Sequence, residues 1–265
     1  MKIQMIVLNI RRKLKDYLLF QSILNFVYRF LFSTNSIRRI KIGYCTLCGK
    51  KNLMLIDASN LRGTGFCLFC GSNARNRGIA EILKKILIIK LINNNFNKNL
   101  LKPLILKLDL EKYSLKQVIK HIPYHDFRIY EPSSLGVISI MLKNFTGFIY
   151  SEYYKNIKSK NFKSIRFEDL QDLSFDNNSL DIVITQDTFE HVKNPELAFK
   201  EIYRVLKPNG IHIFTVPIGN ESKTTYFFNE NGKYLKKNAV FHKDPFSIAG
   251  AKVYTQFGTD IINIL

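Results

Sequence analysis

The stretch LDIVITQDTFEHVKNPELAFKEIYRVLKPNGIHIFTVP, residues 180–217, sets two apolar runs on either side of one well-marked helix. The helix has Asn194 as N-cap, Pro195 at its first position and the exit turn Lys207-Pro208-Asn209-Gly210. The flanking runs, LDIVITQD and GIHIFTVP, are short and apolar and read as strands. Strand, helix, strand in this order is the unit of a parallel sheet wound on both faces.

The same rhythm extends upstream. FRIYE, GFIYSE and SIRFED are three more strand candidates, with the helix-like VISIMLKNF between the first two. The expected fold is α/β, a doubly wound, mainly parallel sheet. Such sheets bind ligands outside the carboxyl ends of their strands. Glu131, Glu152, Asp169 and Asp187 each close a strand, so they converge on one rim, with Glu190 and His191 just beyond. A single acid there is commonly a solvated cap, whereas four at consecutive strand ends point to a site. Glu152 follows Glu131 by 21 residues. An acid after the second strand, roughly 20 residues on, takes the ribose hydroxyls of a nucleotide cofactor, and one carboxylate accepts both protons.

A second signal lies in the first third. CTLCGK and CLFCGS repeat the pattern C-x-x-C-G and hold all the cysteines, Cys45, Cys48, Cys67 and Cys70. Two thiolates three positions apart can bite one ion, and the following Gly49 or Gly71 can take the positive φ that turns backbone amides toward sulfur. Four thiolates suit a closed, structural, tetrahedral Zn²⁺ site, with iron in the same cage as the main alternative. Paired cysteines without a cleavable leader ahead of them also imply a reducing, cytoplasmic compartment. The helix that follows, SNARNRGIAEILKKILIIKLI, carries Arg75 and Arg77 at its start; the expectation is that they cover the zinc knuckle rather than bind phosphate.

The net charge of +19 is uneven: residues 1–100 hold 18 Lys+Arg against 3 acids, and 101–265 hold 22 against 18. Two readings stand: a partner such as an anionic membrane surface or RNA, or compositional drift in a Lys-rich chain. The run Tyr17–Phe32, YLLFQSILNFVYRFLF, is interrupted by Gln21, Asn25 and Arg29 and is short of the roughly 20 apolar residues of a spanning helix. It reads as an amphipathic helix that docks on the protein or lies in a membrane interface, peripheral rather than spanning. The expected organisation is a basic amphipathic segment at 1–42, a zinc-binding module and helix at 43–92, a linker and helical segment at 93–125, and the sheet domain at 126–265.

The residues from Phe127 to Val216 resemble the class I S-adenosylmethionine-dependent methyltransferases. The run FEDLQDLSFDNNSLDIVITQDTFEHVKNPELAFKEIYRVLKPNGIHIFTVP resembles their type 11 branch, and the cysteine knuckles resemble a zinc-ribbon segment found ahead of some of them. The resemblance implies a Rossmann-like fold and S-adenosylmethionine as cofactor. It implies that Glu131 and the turn Pro132–Gly136, with Ser133 and Gly136, contact the methionine part. Glu152 would hold the ribose, Asp169 with Leu170 the adenine, and Asp187 would lie beside the sulfonium. The family's first turn is glycine-rich, whereas EPSSLG keeps only Gly136.

No Asn/Asp-Pro-Pro-Tyr/Phe motif, the family's mark of amine methylation on bases or glutamine, is present. The leading acceptor is therefore a small-molecule or glycan hydroxyl, with RNA methylation or a non-catalytic binding module as alternatives. His191 is a candidate base for that hydroxyl, or a structural histidine pinning its loop; His242, in FHKDP, is a second candidate. After the last strand the chain reads as a polar loop, the FHKDP turn and a helix-like GTDIINIL. The family's usual closing strand pair is not evident, so an open sheet edge is expected.

Overall fold

A computed structural model describes residues 38–57, 61–93, 113–120, 127–153, 165–228, 233–235, 240–244 and 247–264. The described residues fall into two compact units: 38–120 with 135–146, and 127–134 with 147–153 and 165–264.

In the first unit, β1 (Arg38–Tyr44) and β2 (Lys51–Asp57) form an antiparallel hairpin whose register, Tyr44 opposite Lys51, brackets the first cysteine pair. Residues 38–42, the end of the basic segment, lie in β1, where partners on β2 give each a place in a ladder. The run Tyr17–Phe32 lies outside the described residues, as does all but Asn93 of the linker at 93–99. Helix α1 spans Ala74–Asn93 and buries Ile79, Ala80, Leu83 and Leu87 on one stripe. Lys84 is buried on α1 as well, its Nζ 2.7 Å from Glu81 and 3.0 Å from the Tyr113 carbonyl. A short α2, Leu115–Ile119, begins with a capping box in which Ser114 and Gln117 satisfy each other's backbone N–H groups. Its Leu115 and Lys116 amides donate to the Thr46 and Leu47 carbonyls, tying the first knuckle to a helix start. Helix α3, Val137–Leu142, also belongs to this unit.

The second unit is built on five parallel strands: β3 (Ile129–Glu131), β4 (Phe148–Glu152), β5 (Arg166–Phe167), β6 (Leu180–Gln186) and β7 (Leu206–Thr215). Their order is β5-β4-β3-β6-β7, with every neighbouring pair parallel. The order reverses at β3 and β6, so the crevice of this doubly wound sheet opens at the carboxyl ends of those two strands. Helix α4, Pro195–Val205, crosses from β6 to β7; Asn194 caps it by accepting the Leu197 amide at 3.0 Å. Its apolar face, Ala198, Ile202 and Val205, packs with Val183, Phe189, Phe175 and Tyr130 in one core.

Two elements depart from the sequence reading. The turn Lys207–Gly210 lies inside β7 as a bulge, since Leu206 already pairs with Leu180 before the register shifts to Ile211 opposite Ile182. Asn209 there takes φ +62°. FHKDP is not a turn in a polar loop: Phe241–Asp244 is strand β9, paired antiparallel with β10, Ser247–Lys252. The hairpin holds because Gly250, at φ +81°, lets the backbone pass the His242 carbonyl, 2.4 Å from where a Cβ would stand. The closing GTDIINIL segment forms a 3-10 helix, Thr259–Asn263. β8 (Thr225–Tyr226) and β11 (Thr255–Gln256) pair with each other in a separate ribbon, so among the described residues β7 is the sheet's edge. Among the described residues no helix is long and apolar enough to cross a membrane.

Candidate functional site

In the sheet unit, the carboxyl ends of β3, β4 and β6 bring together the acids picked from sequence. Glu131 is buried, and its carboxylate accepts a hydrogen bond from the Gln186 side chain at the end of β6. That bond spans the place where the strand order reverses. Glu152, also buried, ends β4, and its Oε1 accepts from Ser134 twice, 2.6 Å from the backbone nitrogen and 2.7 Å from Oγ. The turn after β3 is thus folded onto the acid after β4. Ser133 points its N–H back to the Glu131 carbonyl at 2.8 Å. Gly136 precedes α3 at φ −59°, and no residue of the turn Pro132–Gly136 has a positive φ, so its poverty in glycine costs no strain.

Asp169 follows β5 and caps its own turn, its Oδ1 accepting from the Gln171 N–H at 3.0 Å and Nε2 at 3.1 Å. Leu170 beside it is buried in the core. Asp187, just past β6, sits at φ +49°, a conformation that costs most non-glycine residues about 1 kcal/mol or more and so marks a constrained position. It is held there by Thr215: the Asp187 amide donates to the Thr215 carbonyl at 2.9 Å, and the Thr215 hydroxyl donates to its carboxylate at 3.2 Å.

Beyond Asp187 the 3-10 turn Phe189–His191 carries Glu190, buried, and His191, partly exposed. His191 Nδ1 lies 2.8 Å from the Lys252 carbonyl, which can only accept, so Nδ1 carries a proton and in the neutral ring the lone pair is on Nε2. His242, exposed on β9, meets His191 edge to face with ring centroids 5.0 Å apart. Sequence reasoning placed Ser134 in the cofactor turn without its bond to Glu152, and missed Gln186 and the Lys252 carbonyl. None of these contacts has a signal in the chain, because each depends only on where its loop is folded.

In the other unit the thiols of Cys45, Cys48, Cys67 and Cys70 all lie within 4.8 Å of one another. The cross pairs Cys45–Cys70 and Cys48–Cys67 are 3.7 and 3.6 Å apart. A tetrahedron of sulfurs about 2.3 Å from a zinc ion has edges of roughly 3.8 Å, so the cage has the dimensions of that site. The two knuckles are built alike. Gly49 at φ +80° and Gly71 at φ +72° donate to the Cys45 and Cys67 carbonyls, both at 2.8 Å. Ser72 Oγ stands 3.3 Å from the Cys45 sulfur and 3.2 Å from that of Cys70. Hydrogen bonds from Cys67 and Cys70 hold the Cys45 thiol far below its usual range, while burial pushes Cys48 up to about 11 and the bond with Cys45 pushes Cys70 higher still. Such a set ionises together only when a cation shares the charge. Arg77 donates to the Gly65 and Ser72 carbonyls, so it covers the second knuckle as its place in the sequence suggested.

The chain is similar to known methyltransferases over part of its length. The family described as "Methyltransferase domain" matches residues 136–214. The glycine/sarcosine/dimethylglycine N-methyltransferase of Actinopolyspora halophila is 38% identical over 67 residues, which are 25% of this chain and 11% of that protein. Among solved structures, a putative sarcosine dimethylglycine methyltransferase from Galdieria sulphuraria is 18% identical, with 39% of this chain and 42% of that one covered at TM-score 0.31. An S-adenosylmethionine-dependent methyltransferase from Mesorhizobium loti is 11% identical, with 56% and 77% covered at TM-score 0.35.

Proposed function

With residues 136–214 matching the methyltransferase-domain family, we propose that this chain is an S-adenosylmethionine-dependent methyltransferase acting on a small-molecule or glycan hydroxyl. The observation that carries the reading is the pair of buried carboxylates, Glu131 and Glu152, anchored at the reversal of strand order by Gln186 and Ser134. A donor set of carboxylates and short hydroxyls at that edge fits a cofactor with an amino group and a ribose. Glu131 with Ser133 and Gly136 would hold its amino-acid part, Glu152 the ribose, Asp169 and Leu170 the base, and Asp187 would face its positive end. When bound, S-adenosylmethionine supplies a methyl group on a cationic sulfur that is already reactive. The protein's share is therefore alignment and exclusion of water.

His191 and His242 stand at the acceptor end, where the proton of a hydroxyl has to be removed. The Nε2 lone pair of His191 is the group there that can take a proton or an ion. A second reading, transfer to a small amine, is favoured by the likeness to the N-methyltransferase of Actinopolyspora halophila. Zinc in the four-thiol cage would be structural, since four protein ligands leave no open position. The basic first third would meet an anionic membrane surface or RNA, which the excess of 18 Lys+Arg over 3 acids in residues 1–100 supports.

Calorimetric titration with S-adenosylmethionine and with its demethylated product tests the reading. Binding of both is expected, followed by transfer of a labelled methyl to a hydroxyl compound rather than an amine. Silence toward both ligands would remove the enzyme reading and leave the binding module.

A further inference from the structure

The side chains of Glu190, His191 and His242 offer one carboxylate oxygen and two imidazole nitrogens within 4.8 Å of one another. From this convergence we infer that the three form a divalent transition-metal site at the acceptor end of the sheet, separate from the thiol cage. Two imidazoles and a carboxylate are the donor set of open, three-ligand metal centres, which keep a further position for water or substrate.

The surroundings are those such a centre needs. A metal-binding histidine ordinarily gives its other ring N–H to a carbonyl or carboxylate, which fixes the tautomer and aims the free nitrogen. His191 does so, with Nδ1 on the Lys252 carbonyl at 2.8 Å. Its Nε2 is 3.9 Å from the Glu190 carboxylate. Glu190 is held on the buried side of the 3-10 turn, and its carbonyl accepts the Tyr254 amide at 2.7 Å. Lys252, on β10, holds its ammonium over the rings of Tyr234 and Phe228, at 4.6 and 5.2 Å from their centroids.

An ion about 2.0–2.2 Å from each ligand would draw the three atoms to roughly 3.0–3.6 Å from one another. His242 is exposed and sits on a two-stranded hairpin, so it is the member that can close the remaining distance. The open side of such an ion takes an oxygen ligand. Resting on the methyltransferase reading, this makes the acceptor a hydroxyl compound that coordinates through the oxygen to be methylated, whose proton coordination releases to water. An amine acceptor, protonated at neutral pH, would be repelled.

The test is a Co²⁺ titration of the full chain with its thiol cage already filled by zinc, followed by visible absorption. Cobalt on imidazole and carboxylate gives weak visible bands without the intense sulfur-to-metal bands of a thiolate site, so the two centres are read apart. Uptake of about one Co²⁺ per chain with the weak bands alone is expected, and His242→Ala and Glu190→Gln should each weaken it about tenfold or more. No uptake beyond the cage, or unchanged affinity in His242→Ala, would overturn the site. The titration needs no methyl donor. Cobalt binding by a chain that ignores S-adenosylmethionine defeats the enzyme reading and keeps the site, and donor binding without cobalt does the reverse.

Discussion

Ser134 donates to Glu152 through both its backbone N–H and its hydroxyl, at 2.6 and 2.7 Å from the same carboxylate oxygen. The turn after the first sheet strand is therefore pinned to the acid that ends the second, the one proposed above to hold the ribose. Glu152→Ala removes a charged acceptor and should weaken S-adenosylmethionine binding by about 1.5–3 kcal/mol. Ser134→Ala keeps the backbone donor and loses one hydrogen bond, so about 0.5–1.5 kcal/mol is expected. Calorimetry on both variants checks the order; equal losses would mean that the hydroxyl, not the carboxylate, does the holding.

Asp187 is fixed at a positive φ with its carboxylate held by Thr215. Asparagine tolerates the same backbone conformation, so Asp187→Asn should fold normally and change only charge. A carboxylate near a sulfonium favours the charged donor over its neutral, demethylated product. The variant should therefore lose affinity for S-adenosylmethionine by about 1 kcal/mol more than for the product. Parallel titrations with the two ligands measure that difference, and its absence would move Asp187 away from the sulfur.

The thiol cage should carry about one zinc per chain when the protein is purified without added metal, and chelation should unfold the first unit. Gly49→Ala adds a second route to the same loss. Its Cβ would stand 2.8 Å from Ser114 Oγ, and φ there is +80°. We expect a fall in zinc affinity and a lower melting temperature, read by metal analysis and thermal denaturation. A metal-free chain that stays fully folded would contradict this.

Much of this was legible in the chain because the signals were local. The cap Asn194-Pro195, the apolar run from Leu180 to Gln186 and the duplicated C-x-x-C-G each declare an element within a few residues. What escaped was long-range or locally ambiguous. Gln186 meets Glu131 across 55 positions, which no local pattern encodes. Phe241–Asp244 is short and bears polar residues, so a hairpin held by Gly250 looked like a turn. Lys207–Gly210 has turn composition and does turn the chain, but inside a strand as a bulge.

His212 lies on β7 with its ring 5.1 Å from that of Phe214 and 5.7 Å from that of Phe189, and burial pushes its pKa down to about 3. The folded state thus holds the ring neutral, while the unfolded chain takes up a proton near pH 6.5. Its contribution is complete above that pH and is lost as pH falls toward 3, a loss of about 3 kcal/mol by pH 4. His212→Asn should flatten the dependence of stability on pH between 6.5 and 4 in urea titrations. An unchanged slope would show that the ring is solvated.

Strand β7 pairs with β6 on one side, and among the described residues no strand pairs with its other side. An open edge of a parallel sheet leaves alternate amides without ladder partners, and those exchange with solvent faster than the amides of a strand flanked on both sides. β6, between β3 and β7, is the internal standard. In dilute, demonstrably monomeric protein, the outward amides between Ile211 and Thr215 should exchange well before those of Ile182–Ile184. Raising the concentration should slow them if two chains meet along this edge, and leave them unchanged if the edge stays open. Equal protection of β6 and β7 in the monomer would mean that other residues of this chain cover the edge.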